Sequence, residues 1–338
     1  MNLTSRQSGF IKAIEDFIPK NVSLVNELAE TLGISNDSAY RRIRGETSLT
    51  FDEIGTLCSK YKLSFDAFNV SHSKDEMVTF AYHSFDDTIT RFHQYFIDLK
   101  EEIKIIRHAS SDNKHILFAG QGIPIFHYLK FPKLTSFKMF YWMKSIMNIS
   151  DYQNESYAPD KIDESLVQLG NEIFQHYLHI PSTEIWTDTT VLGTLHQVQF
   201  YWDSGMFQNK EDPLSICNEI RELLGYVQKT AAQSKKQDDF ENPSQYGAPL
   251  QLYFSEIEFE NNCIIVSVGD NKRVYLGQLS FGTLATENDH YYDETERWLK
   301  NILKKSNLIS GVSDTMRFQF FKRSLRHLEK LEQRIAED

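Results

Sequence analysis

The chain has 338 residues, of which 41% are apolar and 25% charged, and its formal net charge is −11. This length is enough for two domains and the apolar fraction is enough for a buried core, which excludes a globally disordered chain. The acidic balance excludes a protein that binds nucleic acid over its whole surface, although a local basic patch is compatible with it. No segment approaches about 18 uncharged apolar residues, which argues against a membrane-spanning protein.

The cysteines and the first residues both bear on the compartment. The first twenty residues carry charges at Lys12, Glu15 and Asp16 and lack the apolar run of a secretory signal. The three cysteines are scattered, odd in number and form no CxxC pair, which indicates no disulfide framework. We therefore expect a cytoplasmic protein.

Residues 1–70 predict short helices joined by tight turns, because apolar residues recur three and four positions apart between residues that begin or end helices. The predicted elements are a helix from Thr4 to Phe17, a second from Ser23 to Gly33, a third from Ser35 to Arg44, a fourth from Thr50 to Tyr61 and a short fifth from Phe65 to Phe68. Phe17 is expected on the apolar face of the first helix, and Phe51 on the inner face of the fourth. The first domain is therefore expected to be all-α with five helices.

A polar segment, SHSKDE at 71–76, predicts a linker at 71–80 and a second domain at 81–338. We expect this larger domain to be α+β, mostly helical, with a small antiparallel sheet. Helices are predicted over 85–107, 134–147, 162–178, 190–202, 213–232, 291–305 and 314–334, and strands over 115–120, 250–259, 263–268 and 274–279.

The most informative segment lies between residues 23 and 68. Ala29 is small where a following helix must cross closely, and Gly33 stands at the turn. Ile34 is an apolar residue beneath that turn, and Ala39 and Ile43 follow four residues apart on the third helix. Two short helices that cross steeply need this combination, whereas a single amphipathic helix does not.

This segment resembles the helix-turn-helix of Cro and lambda-repressor-like (XRE-type) transcription regulators. The likeness continues in Arg44-Gly45-Glu46, Thr50-Phe51-Asp52-Glu53-Ile54 and Lys62-Leu63-Ser64-Phe65-Asp66. More narrowly, AYRRIRG resembles the N-terminal DNA-binding domain of BetR-like regulators. The resemblance covers about a fifth of the chain and implies a lambda-repressor-like fold for residues 1–70.

The resemblance also implies that the third helix, about 35–44, enters the major groove of DNA. Its DNA-binding residues would be Ser35, Asn36, Asp37, Ser38, Tyr40, Arg41, Arg42 and Arg44. Asparagine can pair with adenine and arginine with guanine, while hydroxyl groups can bind phosphate. We expect Asn36, Asp37 and Arg41 to lie nearest the base edges. The alternative is that the arginines form a solvated charged face of an ordinary helix.

The charge of the first domain favours two copies on one duplex. Residues 1–70 hold eight Lys and Arg against nine Asp and Glu, a net charge of −1, which leaves −10 of the chain's −11 for the rest. A nearly neutral domain should bind DNA weakly, and a homodimer would double its phosphate contacts. The acidic remainder should be repelled by DNA.

Other features of the larger domain carry weaker signals. Gly120 and Gly122 follow a predicted strand, but a third glycine is missing, so a structural turn is favoured over a phosphate loop. His176 and His179 lack further ligands at metal-binding spacing. No motif of a catalytic nucleophile or carboxylate pair is present, so we expect no enzyme, no cofactor and no metal.

Two apolar patterns leave alternatives open. The aromatic cluster at 131–142 and the triplet at 200–202 fit core packing, a ligand pocket or a subunit interface. The last helix carries a stripe that fits either packing on its own domain or a dimer contact, namely Phe318, Phe321, Leu325, Leu328 and Leu331.

The sequence thus predicts a cytoplasmic, sequence-specific, dimeric DNA-binding transcription regulator whose larger domain dimerises or senses an unknown effector. A helix-turn-helix adaptor that binds protein is one alternative. An enzyme with an appended DNA-binding domain is the other.

Overall fold

The computed structural model describes residues 3–18, 22–61, 63, 78–83, 88–110, 113–241, 247–278 and 282–337. The chain divides into two compact units, Met1–Thr79 and Phe80–Asp338. The predicted fifth helix, Phe65–Phe68, lies outside the described residues, as does most of the linker predicted for 71–80.

Four helices form the described part of the smaller unit. They are α1 Leu3–Asp16, α2 Leu24–Leu32, α3 Asn36–Ile43 and α4 Phe51–Tyr61. Their apolar faces meet in one core, whose buried members are Phe10, Ile11, Ile14, Leu28, Ala29, Ala39 and Leu57. The small residues of α2 and α3 belong to this core, in agreement with the sequence pattern.

A three-residue turn connects α2 to α3. Gly33 has φ +64°, a left-handed conformation that side-chain-bearing residues rarely adopt. The N–H of Ile34 donates to the carbonyl of Ala29 at 3.0 Å, which closes the end of α2. Ser35 precedes α3, and its Oγ accepts from the N–H of Ser38 at 3.3 Å, so it caps α3. Ser23 precedes α2 without a side-chain capping bond.

Two phenylalanines that were expected to face the core are exposed. Phe51 is 84% exposed and Phe17 is 53% exposed, so both predictions are wrong. Phe51 is the first residue of α4, and helical side chains tilt toward the N-terminus, so its ring projects past the packed part of the helix. Phe17 follows the last residue of α1, where helical spacing no longer applies.

A mixed sheet, eight-stranded within the described residues, organises the larger unit. Its strands are β1 Ala81–His83, β2 Lys114–Ala119, β3 Ser182–Trp186, β4 Leu250–Phe254, β5 Cys263–Val268, β6 Asn271–Gln278, β7 Gly282–Thr286 and β8 Asn307–Leu308. Their order is β1-β7-β6-β5-β2-β3-β4-β8. The pairs β2–β3 and β3–β4 are parallel and the other pairs are antiparallel.

Helices cover both faces of this sheet. They are α5 Ile89–His108, α6 Ile125–Tyr128, α7 Pro132–Tyr141, α8 Glu164–Tyr177, α9 Leu192–Asp203, α10 Asp212–Gln233, α11 Asp289–Lys305 and α12 Asp314–Glu337, with a π-helical turn at Trp142–Ile146 after α7. Leu117 and Ile265 pack against α11 on one face, whereas Ile116 and Ile264 face the remaining helices on the other. The unit therefore has three layers, and its parallel strands are joined by helical crossovers.

The prediction of a small antiparallel sheet is wrong. The sequence reading missed β3, STEIW, because all five of its residues are buried and it shows no alternation of apolar and polar residues. It also missed the short strands β1, β7 and β8. Without β3 the parallel pairs are invisible, and the antiparallel pair of β5 and β6 remains as a local pattern.

The buried carboxylate of Glu184, on β3, is the centre of a polar network. It accepts hydrogen bonds from Tyr177 Oη at 2.5 Å and Trp186 Nε1 at 2.9 Å, and His127 Nε2 lies 2.8 Å from Oε2. Burial by itself would raise the pKa of this carboxyl. The adjacent His127, the hydrogen bond from Tyr177 and the charge of the buried Lys236 outweigh that effect and hold the pKa below its ordinary value.

The aromatic cluster and the last helix both pack within the larger unit. Phe137 and Phe140 are fully buried against Tyr157 and Tyr201. The stripe of α12 packs on α9 and α10, but Phe318 is 56% exposed, which corrects its assignment to the stripe. No helix in the described ranges combines the length and apolar character needed to cross a membrane.

Candidate nucleic-acid interface

One side of α3 is open to solvent and carries most of the predicted DNA-binding residues. Asn36, Asp37, Tyr40 and Arg41 are exposed, and so is Arg44, which follows the last residue of the helix. Residues three and four apart share a helix face, so Asp37, Tyr40, Arg41 and Arg44 form one continuous surface. The Arg44 guanidinium lies 5.6 Å from the centre of the Tyr40 ring.

The exposed arginines take part in weak intrachain ion pairs. Arg41 lies 3.2 Å from Asp37, and their side chains are 58% and 74% exposed. Arg44 lies 3.3 Å from Glu46, with exposures of 58% and 49%. Exposed pairs of this kind contribute about 0–1 kcal/mol, so an incoming phosphate or base edge can displace the acid at little cost.

Arg42 lies on another side of α3 and faces α4. Its side chain is 14% exposed and forms a bidentate pair with Glu53, from Nη2 to Oε1 at 2.7 Å and from Nε to Oε2 at 3.1 Å. Its Nη1 also donates to the carbonyl of Ser38 at 3.1 Å. All three contacts engage the guanidinium inside the unit. We therefore assign Arg42 a positioning role for α3 and do not carry it into the proposed DNA contacts.

Glu53 also fixes the start of α4. It accepts from the N–H of Thr50 at 2.8 Å, while Thr50 Oγ1 accepts from the N–H of Glu53 at 3.2 Å. This reciprocal pair is a capping box, and its Thr-x-x-Glu spacing was visible in the sequence. Burial would raise the pKa of Glu53, but the bonds from Arg42 and Thr50 outweigh it and lower the pKa.

Gln7 on α1 holds the segment that follows α3, and the sequence reading missed it. Its Nε2 donates to the carbonyls of Arg42 and Thr47, each at 2.8 Å, and its Oε1 accepts from the N–H of Leu49 at 3.0 Å. These partners are 35 to 42 residues away in sequence. No local pattern could have indicated the contact, because only the folded chain brings α1 beside this segment.

The two serines of the predicted set have structural duties. Ser35 caps α3, and its hydroxyl donates to Ser38 Oγ at 3.0 Å. Ser38 is half-buried, whereas Ser35 is exposed. The N-terminal turn of α3 still presents Asn36 and Asp37 to solvent.

A second set of side-chain contacts, centred on Glu27, joins α2 to α4. Lys60 Nζ lies 2.7 Å from Glu27 Oε1, and Tyr61 Oη donates to the same oxygen at 3.0 Å. The hydrogen bond from Lys60 lowers the pKa of the Glu27 carboxyl. Together with the Arg42–Glu53 pair, these contacts to Glu27 hold α2 and α4, the helices that flank α3, in place.

The weaker candidates of the larger unit occupy structural positions. A Cβ at Gly120 would overlap the side chain of Asn262, so glycine fits this close approach between two loops. His176 Nδ1 lies 3.0 Å from Arg107 Nη1. Within the described ranges, no three His, Cys, Asp or Glu side chains are grouped so that they could hold a metal ion.

The surface that α3 exposes can donate hydrogen bonds from two guanidinium groups, and Asn36 can both donate and accept. These are the groups that read guanine and adenine edges in a major groove. No protein-family model, curated protein or solved structure matches this chain.

Proposed function

We propose that the chain is a sequence-specific DNA-binding transcription regulator in which α2, the turn at Gly33 and α3 act as a helix-turn-helix. The observation that carries the proposal is that the three arginines of this segment have different environments. Arg42 is paired with Glu53 inside the unit, while Arg41 and Arg44 lie on the exposed face of the segment. A fixed helix whose exposed guanidinium groups have weak, solvent-exposed ion pairs is suited to reading base edges.

The regulator acts as a dimer in this proposal. Each exposed arginine has an acidic neighbour, and the first 70 residues carry a net charge of −1, so one copy has little attraction for a polyanion. Two copies on an inverted repeat double the contacts. The larger unit would supply dimerisation or effector sensing, and the protein would work in the reducing cytoplasm.

The second candidate is a protein-binding adaptor. The exposed ring of Phe51 favours it, because a phenylalanine that is 84% exposed is suited to a protein contact. In that case Arg41 and Arg44 would meet an acidic protein surface. The same ring could also serve the dimer, so its exposure does not oppose DNA binding.

The salt dependence of duplex binding separates the two candidates. Two copies that each bring Arg41 and Arg44 to DNA predict a slope of about −3 to −4 for log K against log salt, since each neutralised phosphate contributes about −0.9. Fluorescence anisotropy with a labelled duplex of mixed sequence measures this slope. The Arg41→Ala/Arg44→Ala chain is the control and should lose most of it. A folded native chain that fails to bind duplex at low salt would favour the adaptor.

A further inference from the structure

A cavity of about 340 Å³ opens at the edge of the sheet where β2 and β3 end. Gln121 follows β2, Thr194 and Gln197 belong to α9 after β3, and Asn262 precedes the antiparallel β5. Ligands of α/β proteins bind at the carboxyl ends of parallel strands, and a volume of about 300 Å³ or more accommodates a small molecule. Together with Lys138 of α7, these residues bring polar groups to the cavity from four separate parts of the larger unit.

Lys138 of α7 extends its amine into this cavity. The residue is 6% exposed, and its Nζ donates to Gln197 Oε1 at 2.6 Å. The amine also lies 5.3 Å from the ring centres of both Tyr128 and Trp142. Within the part of the chain that the structure describes, no carboxylate pairs with this amine. A buried ammonium group without an anion is unfavourable, and burial lowers the pKa of Lys138 to about 7.

Other lysines of the same unit are more fully engaged. Lys144 donates to three backbone carbonyls at 2.6 to 3.1 Å. Lys130 pairs with Asp238 at 2.7 Å, and the buried Lys236 donates to two carbonyls. An ammonium group has three donors, and the structure gives Lys138 one hydrogen-bond acceptor. The amine of Lys138 can therefore donate further hydrogen bonds where the residue lines the cavity.

The residues around the cavity favour a ligand with one negative charge over a ligand with several. The first turn of α9 lines the cavity, and a helix N-terminus stabilises an anion. Glu260 stands at the exposed rim, and the residues beyond 70 carry a net charge of −10, both of which repel a polyanion. The rings of Tyr141 and Trp142 offer an apolar wall for the body of the ligand.

We propose that this cavity binds a small acid through a single carboxylate or a singly charged phosphate group, held by the ammonium of Lys138. Gln121, Thr194 and Asn262 orient the rest of the molecule through hydrogen bonds. The inference is independent of DNA recognition, because every residue that carries it belongs to the larger unit.

The test uses the full chain with two probes, benzoate and inorganic phosphate. Acylation of each lysine by acetic anhydride is followed by peptide mass spectrometry as a function of pH. Lys138 should react with a midpoint near pH 7. One probe or both should protect Lys138 while the exposed lysines stay reactive, and the stronger protection distinguishes a carboxylate site from a phosphate site.

Two variants test the role of Lys138 directly, and calorimetry measures the binding of benzoate and phosphate to each of them. Lys138→Met keeps an apolar stem without the charge and should weaken binding about ten- to a hundredfold. Gln197→Glu places a carboxylate beside the amine, so it should raise the pKa of Lys138 and abolish binding through an internal ion pair. Protection that is absent with both probes, or binding that is unchanged in both variants, overturns the proposal.

Discussion

Replacing Glu184 with alanine is expected to lower the free energy of unfolding of the larger unit by about 3–5 kcal/mol. The carboxylate is buried and has His127, Tyr177 and Trp186 as partners. Its removal leaves His127 and Trp186 without this acceptor inside the core and Lys236 without the nearby negative charge, whereas Tyr177 keeps the Ser182 hydroxyl at 2.9 Å. The loss therefore exceeds that of a single hydrogen bond.

Urea unfolding followed by tryptophan fluorescence measures this effect, because all four tryptophans of the chain belong to the larger unit. Glu172→Ala is the matched control: its carboxylate is 56% exposed and pairs with Lys100, so its loss should cost no more than about 1 kcal/mol. The stabilisation by Glu184 is present above the ordinary carboxyl pKa of 4.5 and disappears as the pH falls through its lowered pKa. Equal unfolding curves for the two variants would contradict the role given to the network.

Arg41→Ala is expected to weaken DNA binding, whereas Arg42→Ala is expected to lower the stability of the smaller unit. Arg41→Ala removes an exposed guanidinium from both protomers and should weaken binding to a selected operator by about 2–6 kcal/mol per dimer, roughly thirtyfold or more. It should leave the smaller unit about as stable as in the native chain, since the ion pair of Arg41 with Asp37 is exposed on both sides.

Arg42→Ala breaks the bidentate pair with Glu53 and should lower the stability of the smaller unit by about 1–3 kcal/mol. Because folded Glu53 has a lowered pKa, this contribution is present above pH 4.5 and is lost as the pH falls through that lowered value. Hydrogen exchange of peptides from α3 and α4 measures the stability, and anisotropy measures the binding. Destabilisation by Arg41→Ala equal to that by Arg42→Ala would remove the distinction between the two arginines.

The helices of the smaller unit were predictable because each has local signals. Gly33, the Ser35 cap and the spacing of Ala29 and Ala39 are all readable within a few residues. The roles of the arginines were not predictable, because Arg41 and Arg42 are adjacent and chemically identical. Only the position of Glu53 on α4 decides which of them turns inward.

The larger unit was harder to predict for a related reason. A strand buried on both faces, such as β3, has no polar alternation and resembles any short apolar run. The cavity beside Lys138 is built from segments after β2 and β3, before β5 and on α7, so no contiguous motif indicates it. The sequence offered two indirect indications, since Gly122 from the turn after β2 and Tyr141 and Trp142 from the aromatic cluster all line the cavity.

The most direct test of DNA reading by α3 is the selection of binding sites from a random duplex pool, with the Arg41→Ala chain run beside the native one. The account predicts an enriched inverted repeat whose half-sites lie about one helical turn apart, and its absence with Arg41→Ala. Lack of enrichment at low salt, with a native chain shown to be folded and dimeric, would contradict it.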